Sequence, residues 1–199
     1  LDLDAFRTGR WIAEPFRLFD CSRENDGAGA LLMVSSEMAR DLNKKPVKLL
    51  SVAQGTEKGW GDLIENDDVD LYATAGFRAI RERLYGMAGL TPADIDVVQL
   101  YENFSAQGIA SLIDHGFCTY ENVSEVVRFE NLIAPSGGLP VNTSGGNLAH
   151  GFVHGFVTAV ESIRCLRGES PNPVPNAKTC LLAGGPGAPT ISSAIFGVD

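Results

Sequence analysis

Two short segments of the sequence carry residue types that can do chemistry. The first is Tyr101-Glu102-Asn103, which follows directly on the apolar run Ile95–Leu100. A phenol in that place can act as a general acid or base, or donate to a developing enolate. The competing reading is a buried tyrosine with a satisfied hydroxyl. Asn103 can position a water or cap the helix that follows. The second segment is Asn142-Thr143-Ser144-Gly145-Gly146-Asn147. Backbone N–H groups left exposed by such a turn, close to a helix start, suit an oxyanion or a thioester carbonyl. His150 and His154 are four residues apart and can share a helix face. The glutamate that a zinc-protease helix places after the first histidine is missing, so hydrogen bonding at a helix start is expected there and no metal site. Cys180 lies near a glycine cluster, but nothing in the sequence lowers its pKa, and a core cysteine is expected. His115 before Gly116 reads as the end of a helix. Gly185-Pro186-Gly187 lacks the third glycine and following helix of a dinucleotide site.

The elements that must hold these segments follow from periodicity. Ala28–Ser35 is a short apolar run fit for a buried strand, and Ser35 or Ser36 can cap a helix that Pro46 ends. Val47–Val52 is a second strand. Residues 55–71 read as a solvated acidic loop, with no ligand spacing for a cation. Phe77, Ile80, Leu84 and Met87 recur at helical spacing, so Phe77–Met87 is a helix. Thr91-Pro92-Ala93-Asp94 is a helix start or a turn. Ile95–Leu100 is the clearest buried strand, and Ala106–His115 is helical. Gly137, Gly138, Gly145 and Gly146 imply positive-φ turns before a helix over Phe156–Leu166. Lys178–Gly184 and Thr190–Val198 are strands joined by a Gly184–Gly187 hairpin link. The alternation argues for α/β layers, with helices on a mixed sheet.

Composition narrows the partners. The 199 residues are 44% hydrophobic and 21% charged, with 22 Gly and 10 Pro. That is neither a disordered polyelectrolyte nor a coiled coil. Sixteen basic against 25 acidic side chains give a net charge of −9. A protein bound to duplex phosphates needs a basic footprint, so nucleic acid is excluded as the expected partner. No apolar run reaches the roughly 18 residues of a membrane span. The first residues lack the pattern of a signal peptide. Four scattered cysteines without a CxxC pair give no zinc ribbon or disulfide framework, and a cytoplasmic location is expected. The sequence starts at Leu1, as a trimmed or partial chain would.

Four stretches together resemble a known family: DGAGALLMVSSEMAR from Asp26, IDVVQLYENFS from Ile95, GGLPVNTSGGNLAHGFVHG from Gly137 and TCLLAGGPGAP from Thr179. They look like the C-terminal half of a thiolase-fold protein of the lipid-transfer (sterol-carrier) branch. The resemblance implies a thiolase-like C-terminal domain at residues 36–199. It makes residues 1–35 the tail end of an N-terminal half, a loop plus its last strand. That strand would be an orphan, its preceding half supplied by a fuller chain or another polypeptide. Family thiolases carry Gly-His-Pro where this sequence has Gly151-Phe152-Val153. Their second catalytic cysteine falls at Leu181, with Cys180 one residue away and therefore on the opposite strand face. The branch's motif histidine is Tyr101 here.

These changes match the thiolase-like aldolases that cleave steroid side chains. The resemblance then implies retro-aldol cleavage of a β-hydroxyacyl-CoA to a ketone and a shorter acyl-CoA. Tyr101 would transfer the proton, with Asn103 and His154 completing the catalytic set. Asn142, Ser144, Gly145, Gly146 and Phe152 would bind the substrate. That sub-branch implies a second tyrosine near the Phe152 position, which is absent here. No cofactor is implied beyond the coenzyme A of the substrate. The implied partners are a second copy in a thiolase-type dimer and a small protein combining a zinc ribbon and an OB fold. Two other readings stand beside this one: a thiolase-type acyltransferase, and a non-catalytic scaffold that binds acyl-CoA or lipid.

Overall fold

The computed structural model describes residues 2–56 and 74–199. Its centre is a four-stranded mixed sheet. Strands β3 (Lys48–Gly55), β4 (Val97–Leu100), β5 (Thr179–Gly184) and β6 (Ile191–Gly197) lie in the order β3-β6-β5-β4. β4 and β5 run parallel, and the other two pairs are antiparallel. β5 and β6 form the expected hairpin, with Gly184 opposite Ser192 and positive φ at Gly185 and Gly187 in the link. A separate small hairpin near the N-terminus, β1 (Trp11–Ala13) with β2 (Phe16–Arg17), was not expected from the sequence.

Helices cover both faces of the sheet, because successive strand residues point to opposite sides. Val98 and Leu181 face a core with Phe77, Ile80, Leu84, Leu112 and Ile195. Their neighbours Val97 and Cys180 face a second core with Cys165 and Leu166. The first core contains α3 (Arg78–Ala88), which buries Ile80, Leu84 and Tyr85 at helical spacing and stops at left-handed Gly89. It also receives α4 (Ser105–His115), which stops at left-handed Gly116. The second core receives α8 (Phe156–Arg167). Shorter helices are α1 (Leu3–Thr8), α2 (Ser36–Arg40), α5 (Val123–Val126), α6 (Phe129–Leu132) and α7 (Gly146–Ala149). Thr91 and Asp94 close the turn before β4 by capping each other. The α/β expectation holds.

One expected strand is absent. Residues 28–35 have no strand geometry, and Leu32 and Met33 are 83% and 81% exposed. An apolar run becomes a strand only when a neighbour accepts its backbone hydrogen bonds, and none of the described residues does so here. The segment instead runs over the turn before α8. A Cβ at Gly27 would press on Val153, and one at Gly29 on Phe156. Ser35 caps α2, as expected, by accepting from the Met38 N–H at 3.2 Å. Most of the expected acidic loop, from residue 57 on, lies outside the described residues.

Candidate functional site

Tyr101 is the first residue past β4, and its N–H still donates to Ala183 O at 2.9 Å. That last ladder bond fixes where the side chain leaves the sheet. The ring meets two others. Centroids are 5.6 Å apart for Tyr101 and Phe152, 6.0 Å for Tyr101 and His154, and 5.4 Å for Phe152 and His154, all edge-on. Edge-on contact is a favoured geometry for aromatic pairs. Burial pushes the Tyr101 phenol above its ordinary pKa, which favours its protonated form.

His154 lies in a short 3-10 turn, Val153–Gly155, with left-handed backbone, and Phe152 directly precedes it. Val153, His154 and Gly155 have φ of 31°, 51° and 80°. Gly155 is obligatory in two ways: its φ is left-handed, and a Cβ there would overlap the Tyr101 ring. This corrects the shared helix face expected for His150 and His154. His150 ends α7, and His154 is exposed in the turn beyond it. No group of three His, Cys, Asp or Glu side chains among the described residues is placed to hold a metal.

The Gly-rich segment is sewn along β4. Asn142 Oδ1 accepts from Leu100 N–H at 2.6 Å and its Nδ2 donates to Leu100 O at 3.2 Å. Its own N–H donates to Val98 O at 2.9 Å. Thr143 is held from below: its Oγ1 donates to Glu161 Oε1 at 2.8 Å, and its O accepts from Asn172 Nδ2 at 2.7 Å. Gly145 and Gly146 have φ of 99° and 57°, and a Cβ at Gly146 would collide with Glu102 and Asn142. The expectation of N–H groups left open for a thioester carbonyl is only partly met. The Gly145 N–H donates to Asn142 O at 2.7 Å, and the Asn147 N–H donates to Glu102 Oε1 at 3.1 Å. Open polar groups come from side chains instead. Asn103 Oδ1, Ser144 Oγ and both polar atoms of Asn147 are buried with no hydrogen-bond partner. Asn103 does not cap α4, because Phe104 holds that position.

Two residues at this site had no role assigned to them from the sequence. Glu102 is 6% exposed, and its Oε2 is buried with no hydrogen-bond partner. Burial raises its carboxyl to about 7, although hydrogen bonds to the carboxylate pull the other way. Glu102 lies two residues past β4, and nothing in the local sequence shows that its side chain turns inward. Asn25 is the second: its Oδ1 accepts from the Phe152 N–H at 2.6 Å. No sequence pattern points to it.

Cys180 is fully buried on the α8 side, and burial pushes its thiol well above the ordinary range. The core-cysteine expectation holds. Leu181 faces the α3 core. His115, at the end of α4 as expected, is also fully buried. Its Nδ1 is 2.7 Å from Ser111 O and its Nε2 is 2.9 Å from Ser193 Oγ, and burial lowers it to about 4. No described helix is long and apolar enough to cross a membrane.

Comparison with known proteins agrees with this fold. A family model described as "Thiolase C-terminal domain-like" matches residues 63–197. The 17-hydroxy-3-oxo-4-pregnene-20-carboxyl-CoA lyase of Mycobacterium tuberculosis is 34% identical over 96% of this chain and 49% of its own length. A steroid side-chain-cleaving aldolase of Thermomonospora curvata is 33% identical over 100% of this chain and 50% of its own. Among solved structures, the Ltp2-ChsH2(DUF35) aldolase superposes with a TM-score of 0.93 at 33% identity, covering 100% of this chain and 52% of that chain. The chain therefore spans about half the length of the relatives it matches.

Proposed function

The chain belongs to the thiolase C-terminal domain-like family, and from that premise we propose that it forms half of a lyase for β-hydroxyacyl-CoA thioesters. The reaction is a retro-aldol cleavage. The β-hydroxyl loses its proton and becomes a carbonyl, and the bond between Cα and Cβ breaks. Its electron pair passes to the thioester as an enolate, which takes a proton. The products are a ketone and a shorter acyl-CoA. Tyr101 is the proton donor to the enolate, and His154, across the ring cluster, takes the hydroxyl proton. Asn103, Ser144 and Asn147 supply polar atoms that have no partner of their own. Asn142, Gly145 and Gly146 shape the wall against which the thioester lies, and Phe152 packs on its acyl group.

One observation carries this reading: the phenol of Tyr101 leads the cluster at the end of β4, while Cys180 is buried on the far face. A thiolase-type acyl transfer needs a reachable thiolate. The names of the relatives support a steroid-like acyl group bearing a tertiary alcohol. The assembly named in the structural match supports a second chain of the DUF35 kind as partner. The same reading includes a thiolase-type dimer, a cytoplasmic location and no cofactor beyond the coenzyme A of the substrate.

The test is cleavage by the full protein, with any partner that co-purifies, of a β-hydroxyacyl-CoA carrying a tertiary alcohol. Ketone and shorter acyl-CoA should form without added CoA, and Tyr101→Phe should lower the rate about 10²-fold. Product only from a β-ketoacyl-CoA with free CoA would replace this reading by thiolysis. No turnover of either substrate would leave a binding scaffold.

A further inference from the structure

The strained turn that carries Phe152 and His154 is far in sequence from what holds it. Within the turn, the Gly155 N–H donates to Phe152 O at 2.7 Å. Val153 is β-branched and has a φ of 31°, with His154 next to it at 51°. Side chains rarely adopt such conformations, and they persist only where the surroundings impose them.

The imposing segment lies near the N-terminus. Asp20 Oδ1 accepts from Ser105 Oγ at 2.6 Å, and Cys21 forms a bridge with Phe104. The Ser22 N–H donates to Asn103 O at 2.9 Å. Three residues later, Asn25 Oδ1 accepts from the Phe152 N–H at 2.6 Å. One end of this short segment is thus tied beside Tyr101 and the other to the turn. Three residues reach roughly 11 Å at full extension, so the tether limits how far the two sides of the ring cluster can separate. Gly27 and Gly29 then let the chain lie flat against Val153 and Phe156.

We infer that Ser22–Asn25 is a brace across the site and that Asn25 is a positioning residue, fixing Phe152 and His154 against Tyr101. The catalytic part of this inference rests on the lyase reading. The structural part does not. Two measurements on the full protein separate them. In Asn25→Ala, amide hydrogen exchange of a peptide covering residues 151–156 should quicken about five- to tenfold, as loss of one hydrogen bond implies. With a β-hydroxyacyl-CoA substrate, kcat should fall by a similar factor while KM stays within about twofold. Asn25→Asp keeps an acceptor oxygen and should restore both.

Unchanged exchange in Asn25→Ala would overturn the brace. Faster exchange with unaltered kcat in an active protein would overturn the positioning role. Faster exchange that Asn25→Asp reverses, in a protein that cleaves no β-hydroxyacyl-CoA, would support the brace and overturn the lyase reading instead.

Discussion

Helix α4 has a buried carboxyl at each end, and the two are held differently. Asp114, near its C-terminus, is 1% exposed. Its Oδ2 accepts from Thr74 Oγ1 at 2.6 Å, Ala75 N–H at 2.8 Å and Phe77 N–H at 3.1 Å. These donors lead into the first turn of α3, so one oxygen ties two helices together beside the buried Ala75 and Phe77. Glu102, just before the N-terminus of α4, packs against a glycine turn and shares its surroundings with the unpartnered atoms of Asn103, Ser144 and Asn147. Burial raises both carboxyls above their ordinary pKa. At the Asp114 end, Oδ2 is matched by three donors and the core closes around it, while Oδ1 is buried with no hydrogen-bond partner. At the Glu102 end, several are left for something else to match, at the place where Tyr101 and the strained turn meet. Unmatched buried polar groups cost stability, and a protein keeps them where a ligand or water completes them.

Breaking the anchored end should have the largest effect on stability. Asp114→Ala strands three donors, and the unfolding free energy should drop by about 4 kcal/mol, with a Tm lower by roughly 10 °C in a thermal melt. A loss below about 1 kcal/mol would show that the two ends are not so different.

The other end should reveal itself through pH. Glu102 has a folded-state pKa of about 7 against an ordinary 4.5, so the native state holds more protons than the unfolded state between those values. Its contribution is fully present below about 4.5 and is lost as pH rises through about 7. The size is on the order of 3 kcal/mol. Glu102→Gln stays neutral and should lack this decline. Denaturant melts of both proteins from pH 4 to 8 give the difference curve, and parallel curves would sink the assignment.

Gly155→Ala should cost about 1 to 2 kcal/mol from its left-handed φ alone, and more from the overlap of its Cβ with the Tyr101 ring. Its Cβ must displace the Tyr101 ring, so turnover should fall about tenfold or more. Full activity in Gly155→Ala would detach the ring cluster from the chemistry.

The helices beginning near residues 77, 106 and 156 were legible because their apolar spacing is local and each ends at or near a glycine. Strand β4 was legible as a short apolar run that continues into polar residues. The same reasoning failed at residues 28–35, because a strand depends on a neighbour that the run itself cannot name. Tyr101, Asn103 and the Asn142–Asn147 loop were legible as candidates from their position after a strand and before a helix.

What the sequence determined by itself is the local material: helical faces, the glycine turns, a phenol at a strand end, and cysteine and leucine on opposite faces of β5. Which face looks where was decided by the tertiary structure, since alternation along a strand fixes only that neighbours differ. Tertiary structure also decided that Glu102 is buried and that His154 leaves the helix. The bond that ties Asn25 to Phe152 joins residues 127 apart in sequence. Local physics sets spacing and conformational preference. Burial and long-range contact exist only once the chain has closed on itself, and there a buried carboxyl and a braced turn first acquire their meaning.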